Sequence, residues 1–159
     1  MSASVASFAV QSGEGTRLGT PTGDWVTIKA HTRNTNGSLS VLEITSEPRS
    51  GPALHTHLRE DELWWVLEGE YRFKAGEAVF EVAQGGMAFG PRGLPHAFQN
   101  VSDTPGRLLV ITTPSGVERF FEQFAELLPG PVDRNKLADV ALANWIEFVG
   151  PPLAVSDPI

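Results

Sequence analysis

Up to Thr113 the chain alternates apolar and polar positions with a period of two, the pattern of half-buried strands. Trp25, Thr27 and Lys29 alternate with Val26, Ile28 and Ala30, which predicts a strand over Asp24–Thr32. Asn34-Thr35-Asn36-Gly37 reads as a turn, its Asn-Gly pair supplying the positive φ that tight turns need. A strand follows over Ser38–Thr45. Beyond it the apolar runs are short, at Glu62–Glu68, Tyr71–Lys74, Ala78–Val82, Met87–Phe89, Pro95–Val101 and Arg107–Thr113. Gly- and Pro-bearing turns separate most of them. Before about residue 20 the chain is rich in Ser, Gly and Thr, with one short strand over Val5–Val10.

After Pro114 the period changes. Val117, Phe120, Phe121, Phe124, Leu127 and Leu128 fall on one helical face, which Pro129-Gly130-Pro131 closes off. Ser115 as N-cap with Glu118 at the third helical position fits a capping box. An aromatic stripe at this spacing is read as core, a lid packed on the sheet. Asp133 caps a second short helix through about Asn144, and the tail from Ile146 to Leu153 reads as extended. Many short strands, no βα alternation and no phosphate-loop glycine pattern indicate an all-β jelly-roll barrel with two short C-terminal helices. The division is an N-terminal arm (1–23), a barrel (24–114), and a helical segment with its tail (115–159).

Composition narrows the partners. A formal net charge of −7 over 159 residues argues against nucleic acid, whose affinity comes from Lys and Arg on phosphate. No cysteine is present, so any metal must use nitrogen and oxygen ligands. Residues from Met1 to Phe8 lack the basic and apolar regions of a secretory signal. No apolar run approaches the ~20 residues that span a bilayer. The expectation is a cytoplasmic protein with a small-molecule substrate and no membrane or nucleic-acid partner.

The candidate chemistry lies mid-chain. His55 and His57 stand two apart, so on a strand they share a face. If residues 58–61 form a hairpin loop, Glu62 is the cross-strand partner of His57 and faces the same way. A further histidine, His96, sits in Gly93-Leu94-Pro95-His96-Ala97-Phe98. Such a His-x-His pair is also met as surface decoration, or as core histidines bonded to backbone carbonyls. His31, a lone strand histidine beside a turn, reads as exposed or rim-lining. Arg59, Glu60 and Asp61 read as a solvated loop tip. Trp64 shares parity with Glu62, and Phe98 with His96, so both face inward, to pack against substrate or simply as core. Asn100 reads as structural, satisfying backbone groups at a strand end.

With both segments placed, the sequence resembles the cupin superfamily. Its first motif, Gly-x5-His-x-His-x3-4-Glu-x6-Gly, is matched by His55, His57, Glu62 and Gly69. Gly51 departs from it, with three residues before His55 where the motif has five. The second motif, Gly-x5-Pro-x-Gly-x2-His-x3-Asn, is matched throughout by Gly85, Pro91, Gly93, His96 and Asn100. Within the superfamily the run Glu62-Leu63-Trp64-Trp65-Val66-Leu67-Glu68-Gly69, the helix from Val117 and the Gly150-Pro151-Pro152-Leu153 tail resemble bacterial quercetinase-type cupins.

The resemblance implies one divalent transition metal (Fe, Mn, Ni, Co, Cu or Zn) held by His55, His57, Glu62 and His96, in a homodimer. It implies a dioxygenase acting on a small aromatic or enolic substrate, with Glu62 serving as base as well as ligand. A binding or sensing cupin without catalysis, and an isomerase or lyase at the same metal, stand beside that reading. Four such ligands on a divalent ion leave a net charge near +1, which would attract an anionic oxygen. Neutral imidazoles are needed for ligation, so acid competes with the metal.

Overall fold

The computed structural model describes residues 5–159, and Met1–Ser4 lie outside the described residues. The chain runs β1 (Thr16–Gly19), β2 (Trp25–Ala30), α1 (Thr32–Thr35), β3 (Ser40–Ser46), β4 (Ala53–His57), β5 (Asp61–Glu68) and β6 (Glu70–Ala75). It continues through β7 (Ala78–Ala83), β8 (Met87–Gly90), β9 (His96–Asn100), β10 (Gly106–Thr113), α2 (Val117–Ala125), α3 (Arg134–Ala143), β11 (Ile146–Pro152) and α4 (Leu153–Ser156). Two antiparallel sheets face each other, ordered β1-β2-β3-β10-β5-β8 and β11-β4-β9-β6-β7. This is the jelly-roll barrel that the short strands and turns anticipate. No helix among the described residues is long and apolar enough to cross a membrane.

Alternation does most of the building. On β2, β3, β5 and β10 the inward positions Val26, Ile28, Leu42, Ile44, Trp64, Val66, Leu108 and Val110 are buried. From the opposite sheet Tyr71, Phe73 and Phe98 meet them. The outward face of β5 and β8 is also apolar, with Trp65 opposite Met87 and Leu63 opposite Phe89.

Several local expectations are corrected. Val5–Val10 forms no strand, and the first strand is β1, which lies within the segment read as an arm and pairs with β2. The Asn36-Gly37 pair does take positive φ, but it ends the short helix α1. Ser115 is not the N-cap of α2; Gly116 is, with φ 140°. Glu118 is buried and accepts from the Thr32 and Gly116 amides and the Thr32 and Ser40 hydroxyls. Burial alone would raise its pKa, but these donors hold it below the usual carboxylate range. The carboxylate thus nails the start of α2 to the barrel. Asp133 caps α3 as expected, accepting from the Asn135 and Lys136 amides. The extended tail is β11, which covers the free edge of β4 with Phe148 opposite His55.

Candidate metal centre

Strand β4 turns His55 and His57 inward, and β9 sets His96 directly opposite His55. Glu62 arrives differently. The β4 and β5 strands lie in different sheets, so residues 58–60 form a crossing between sheets and not a hairpin loop. Glu62 therefore faces the histidines across the barrel interior. Its Oε2 lies 3.1 Å from Nε2 of both His57 and His96. One donor atom from each of the four residues falls within 4.8 Å of all the others. His57, Glu62 and His96 are buried, and His55 is partly open.

Backbone and neighbouring groups set the imidazoles. His55 Nδ1 donates to the Ala53 carbonyl at 2.8 Å, and His96 Nδ1 to the Leu94 carbonyl at 3.0 Å. A carbonyl can only accept, so each Nδ1 carries a hydrogen and Nε2 is the nitrogen that either ring would offer to a metal. Burial, with His96 and His57 close by, drives the His55 pKa down to about 3. Burial also works against charge on His57, but the Glu62 and Glu60 carboxylates outweigh it and lift the pKa to about 9. Burial would raise Glu62, yet His57 and His96 hold it well below the carboxylate range. Three nitrogen donors and one carboxylate, converging and all-N/O, fit a divalent transition metal.

Two glycines make this packing possible. A Cβ on Gly51 would sit 1.9 Å from the Phe98 carbonyl oxygen, so only glycine lets the segment leading into β4 lie against β9. A Cβ on Gly90 would meet the Trp64 ring at 2.7 Å and His96 Nδ1 at 3.3 Å. The second motif is tied to the first by the Gly93 amide, which donates to the His57 carbonyl at 2.8 Å. Arg92 holds the start of β5 through a two-point contact with Asp61, at 3.0 and 2.9 Å. Asn100 meets its structural expectation: its Nδ2 donates to the Ser46, Glu47 and Thr104 carbonyls, and its Oδ1 accepts from the Ser102 amide.

The Cupin domain family matches residues 42–112, a span that holds all four clustered residues and both motifs. That match supports the resemblance to the cupin superfamily read from the two motifs. Among curated proteins it is 30% identical over 75 residues to an uncharacterized protein of Methanocaldococcus jannaschii. That match covers 47% of this chain and 60% of the relative, so under two thirds of the relative's length is spanned. Among solved structures, KdgF from Halomonas sp. aligns with a TM-score of 0.60 at 16% identity, over 69% of this chain and 94% of that one. A predicted oxalate decarboxylase from Thermotoga maritima aligns at 0.58 and 23% identity, over 67% and 99%. A sugar phosphate isomerase from Silicibacter pomeroyi aligns at 0.57 and 19% identity, over 68% and 76%. At these identities the likeness shows the fold alone.

The cluster forms the floor of a cavity of about 250 Å³. His55, His57 and Glu62 open into it, and its walls include Phe98, Phe120, Phe121, Phe124 and Phe148. The aromatic stripe of α2, read from sequence as core, is thus core and cavity wall together. Among the described residues no Lys or Arg lines it. Phe98 lies in the wall, where its parity puts it. Trp64 points inward as parity requires but is not part of the wall: it packs behind the cluster, 5.0 Å from the His96 ring and 5.4 Å from Phe73.

Two further expectations give way. His31 is buried, not exposed, with Nδ1 3.6 Å from Glu122 on α2. Glu60 is not at a solvated tip: it is 2% exposed and turned toward His57. The run Arg59-Glu60-Asp61 carries no sequence signal for that burial, because three consecutive charges read as surface.

Proposed function

We propose that this cupin is a metal-dependent dioxygenase of the quercetinase-like type, acting on a small, neutral aromatic or enolic substrate. The observation that carries the proposal is the wall chemistry: five phenylalanines surround a space that ends on His55, His57 and Glu62. Aromatic walls favour a flat ring, which packs against them edge-on or offset. An apolar cavity of ~150 Å³ admits benzene, so this one has room for more than a single ring. A phosphorylated sugar would bring charge and hydroxyls for which these walls offer few partners. Oxalate would leave most of the space empty.

A divalent transition metal held by the four residues would supply Lewis acidity and, if redox-active, oxygen activation. The protein's own residues do the rest. The walls orient a ring so that its hydroxyl or enol oxygen points at the floor. The Glu62 carboxylate opens into the cavity at that point and is the group in place to accept the hydroxyl proton. Helix α2, anchored through Glu118, screens the floor from bulk water.

The test is oxygen uptake. Protein loaded separately with Fe(II), Mn(II), Co(II) or Ni(II) is expected to consume O2 with a flavonol or a cyclic enolic dione. Tight binding of those compounds with no uptake by any loaded form would overturn the dioxygenase reading and leave a binding cupin.

A further inference from the structure

We propose that Glu60 is a positioning residue of the metal centre. Its buried carboxyl group takes the Nδ1–H of His57 and fixes that ring for ligation through Nε2. The inference rests on the metal-centre reading above and extends it beyond the four clustered residues.

The three histidines are not equivalent. His55 and His96 are each oriented by a backbone carbonyl, at 2.8 and 3.0 Å. Among the described residues, His57 has no such carbonyl. Its Nδ1 is buried there without a hydrogen-bond partner, and so is Glu60 Oε2; the two atoms face each other at 3.6 Å. Both residues are 2% exposed, so neither atom has bulk water to turn to. A buried carboxylate without compensation is costly, and a buried imidazole nitrogen without a partner is costly too. A shift of under an ångström in either side chain closes the gap to a charge-assisted hydrogen bond, which answers both costs.

The surroundings of Glu60 point the same way. A Cβ on Gly116 would stand 3.3 Å from Glu60 Oε1, and Gly116 is the N-cap of the nine-residue helix α2. Glu60 thus lies between a metal-facing histidine and the start of the lid.

The experiment compares the full chain with Glu60→Gln, which keeps the shape and an acceptor but loses the charge. Zn(II) affinity is measured by chelator competition, folding by melting of the metal-free proteins, and the His57 ring by long-range ¹H–¹⁵N NMR of the Zn(II)-loaded protein. The expected result is a hydrogen-bonded Nδ1–H on wild-type His57. In the variant its resonance moves, and Zn(II) affinity falls by ~10–100-fold with melting little changed. Unchanged affinity with an unchanged His57 resonance would overturn the proposal. So would a wild-type His57 lacking Nδ1–H, an outcome that does not depend on the variant folding. If wild type binds no Zn(II), Ni(II) or Fe(II) at all, the metal-centre reading itself fails, a result distinct from a failure of Glu60 alone.

Discussion

The floor and the walls of the cavity are built by opposite means. The floor draws four polar side chains from β4, β5 and β9, across both sheets, and backbone carbonyls or carboxylates orient its imidazoles. Much of the wall comes from α2 and β11, elements added after the barrel closes; hydrogen bonds to Glu118 and the β11–β4 pairing anchor them, but their side chains meet the cavity by apolar contact. Directional bonds make the floor intolerant of change, because a lost partner leaves a buried polar group exposed to its full desolvation cost. Apolar contact makes the wall adjustable in shape. The floor sets which chemistry is possible, and the wall sets which molecule is presented to it.

The largest expected effect separates the two. His96→Ala removes a donor that faces Glu62 at 3.1 Å and should abolish stoichiometric metal binding while leaving the cavity walls intact. A ligand that binds only the folded state stabilises it by about 4 kcal/mol at a thousandfold excess over Kd. In wild type, therefore, metal should raise the melting temperature and a chelator should reverse it, whereas His96→Ala should respond to neither. Elemental analysis showing full metal in His96→Ala would break the link between the two motifs.

The wall should give the converse. Phe124 is 3% exposed, stacks on Phe120 at 5.6 Å between ring centroids, and lines the cavity. Phe124→Ala should cost ~3–5 kcal/mol of stability, as large core truncations do. Metal affinity should stay within a few-fold of wild type, and bulkier aromatic ligands should gain affinity relative to small ones. A loss of metal in Phe124→Ala, measured on protein shown to be folded, would mean that floor and wall are not separable.

How much of this was legible in the sequence follows the same division. The floor could be read because its residues are rare types at fixed spacings: His55, His57, Glu62, His96, with Gly85, Pro91 and Gly93 marking the second segment. Even there the spacing hid the geometry, since a loop of the length of 58–61 fits a hairpin and a sheet-to-sheet crossing equally well. Of the wall, Phe98 could be read from its parity with His96, but the α2 part could not, because Val117, Phe120 and Phe124 look the same whether they fill a core or leave a space beside it. Phe148 enters through the pairing of β11 with β4, a contact between distant segments that no local pattern encodes. Glu60 was missed for a related reason: burial of a charge is decided by the lid above it.

The smallest effect concerns pH, and it too should touch the floor and spare the wall. In the metal-free protein the His57 pKa is raised from 6.5 to about 9, so at pH 7 a proton sits between that ring and the ionised Glu62. A raised histidine stabilises the folded state fully below its ordinary value, and that contribution is lost as pH climbs through about 9. Metal requires the neutral ring, so uptake near pH 7 must displace this proton. His55, lowered to about 3, has none to give at that pH. One displaced proton makes apparent affinity rise about tenfold per pH unit from ~7 to ~9 and level off above. An unperturbed histidine would level off near ~6.5 instead. Titration calorimetry in buffers of different ionisation enthalpy counts the proton directly. An uncharged bicyclic aromatic probe should bind the metal-free cavity equally well at pH 7 and pH 9. Metal affinity that is flat over the same interval would show that His57 is already neutral there, and would remove its pairing with Glu62 as the feature that governs the empty floor.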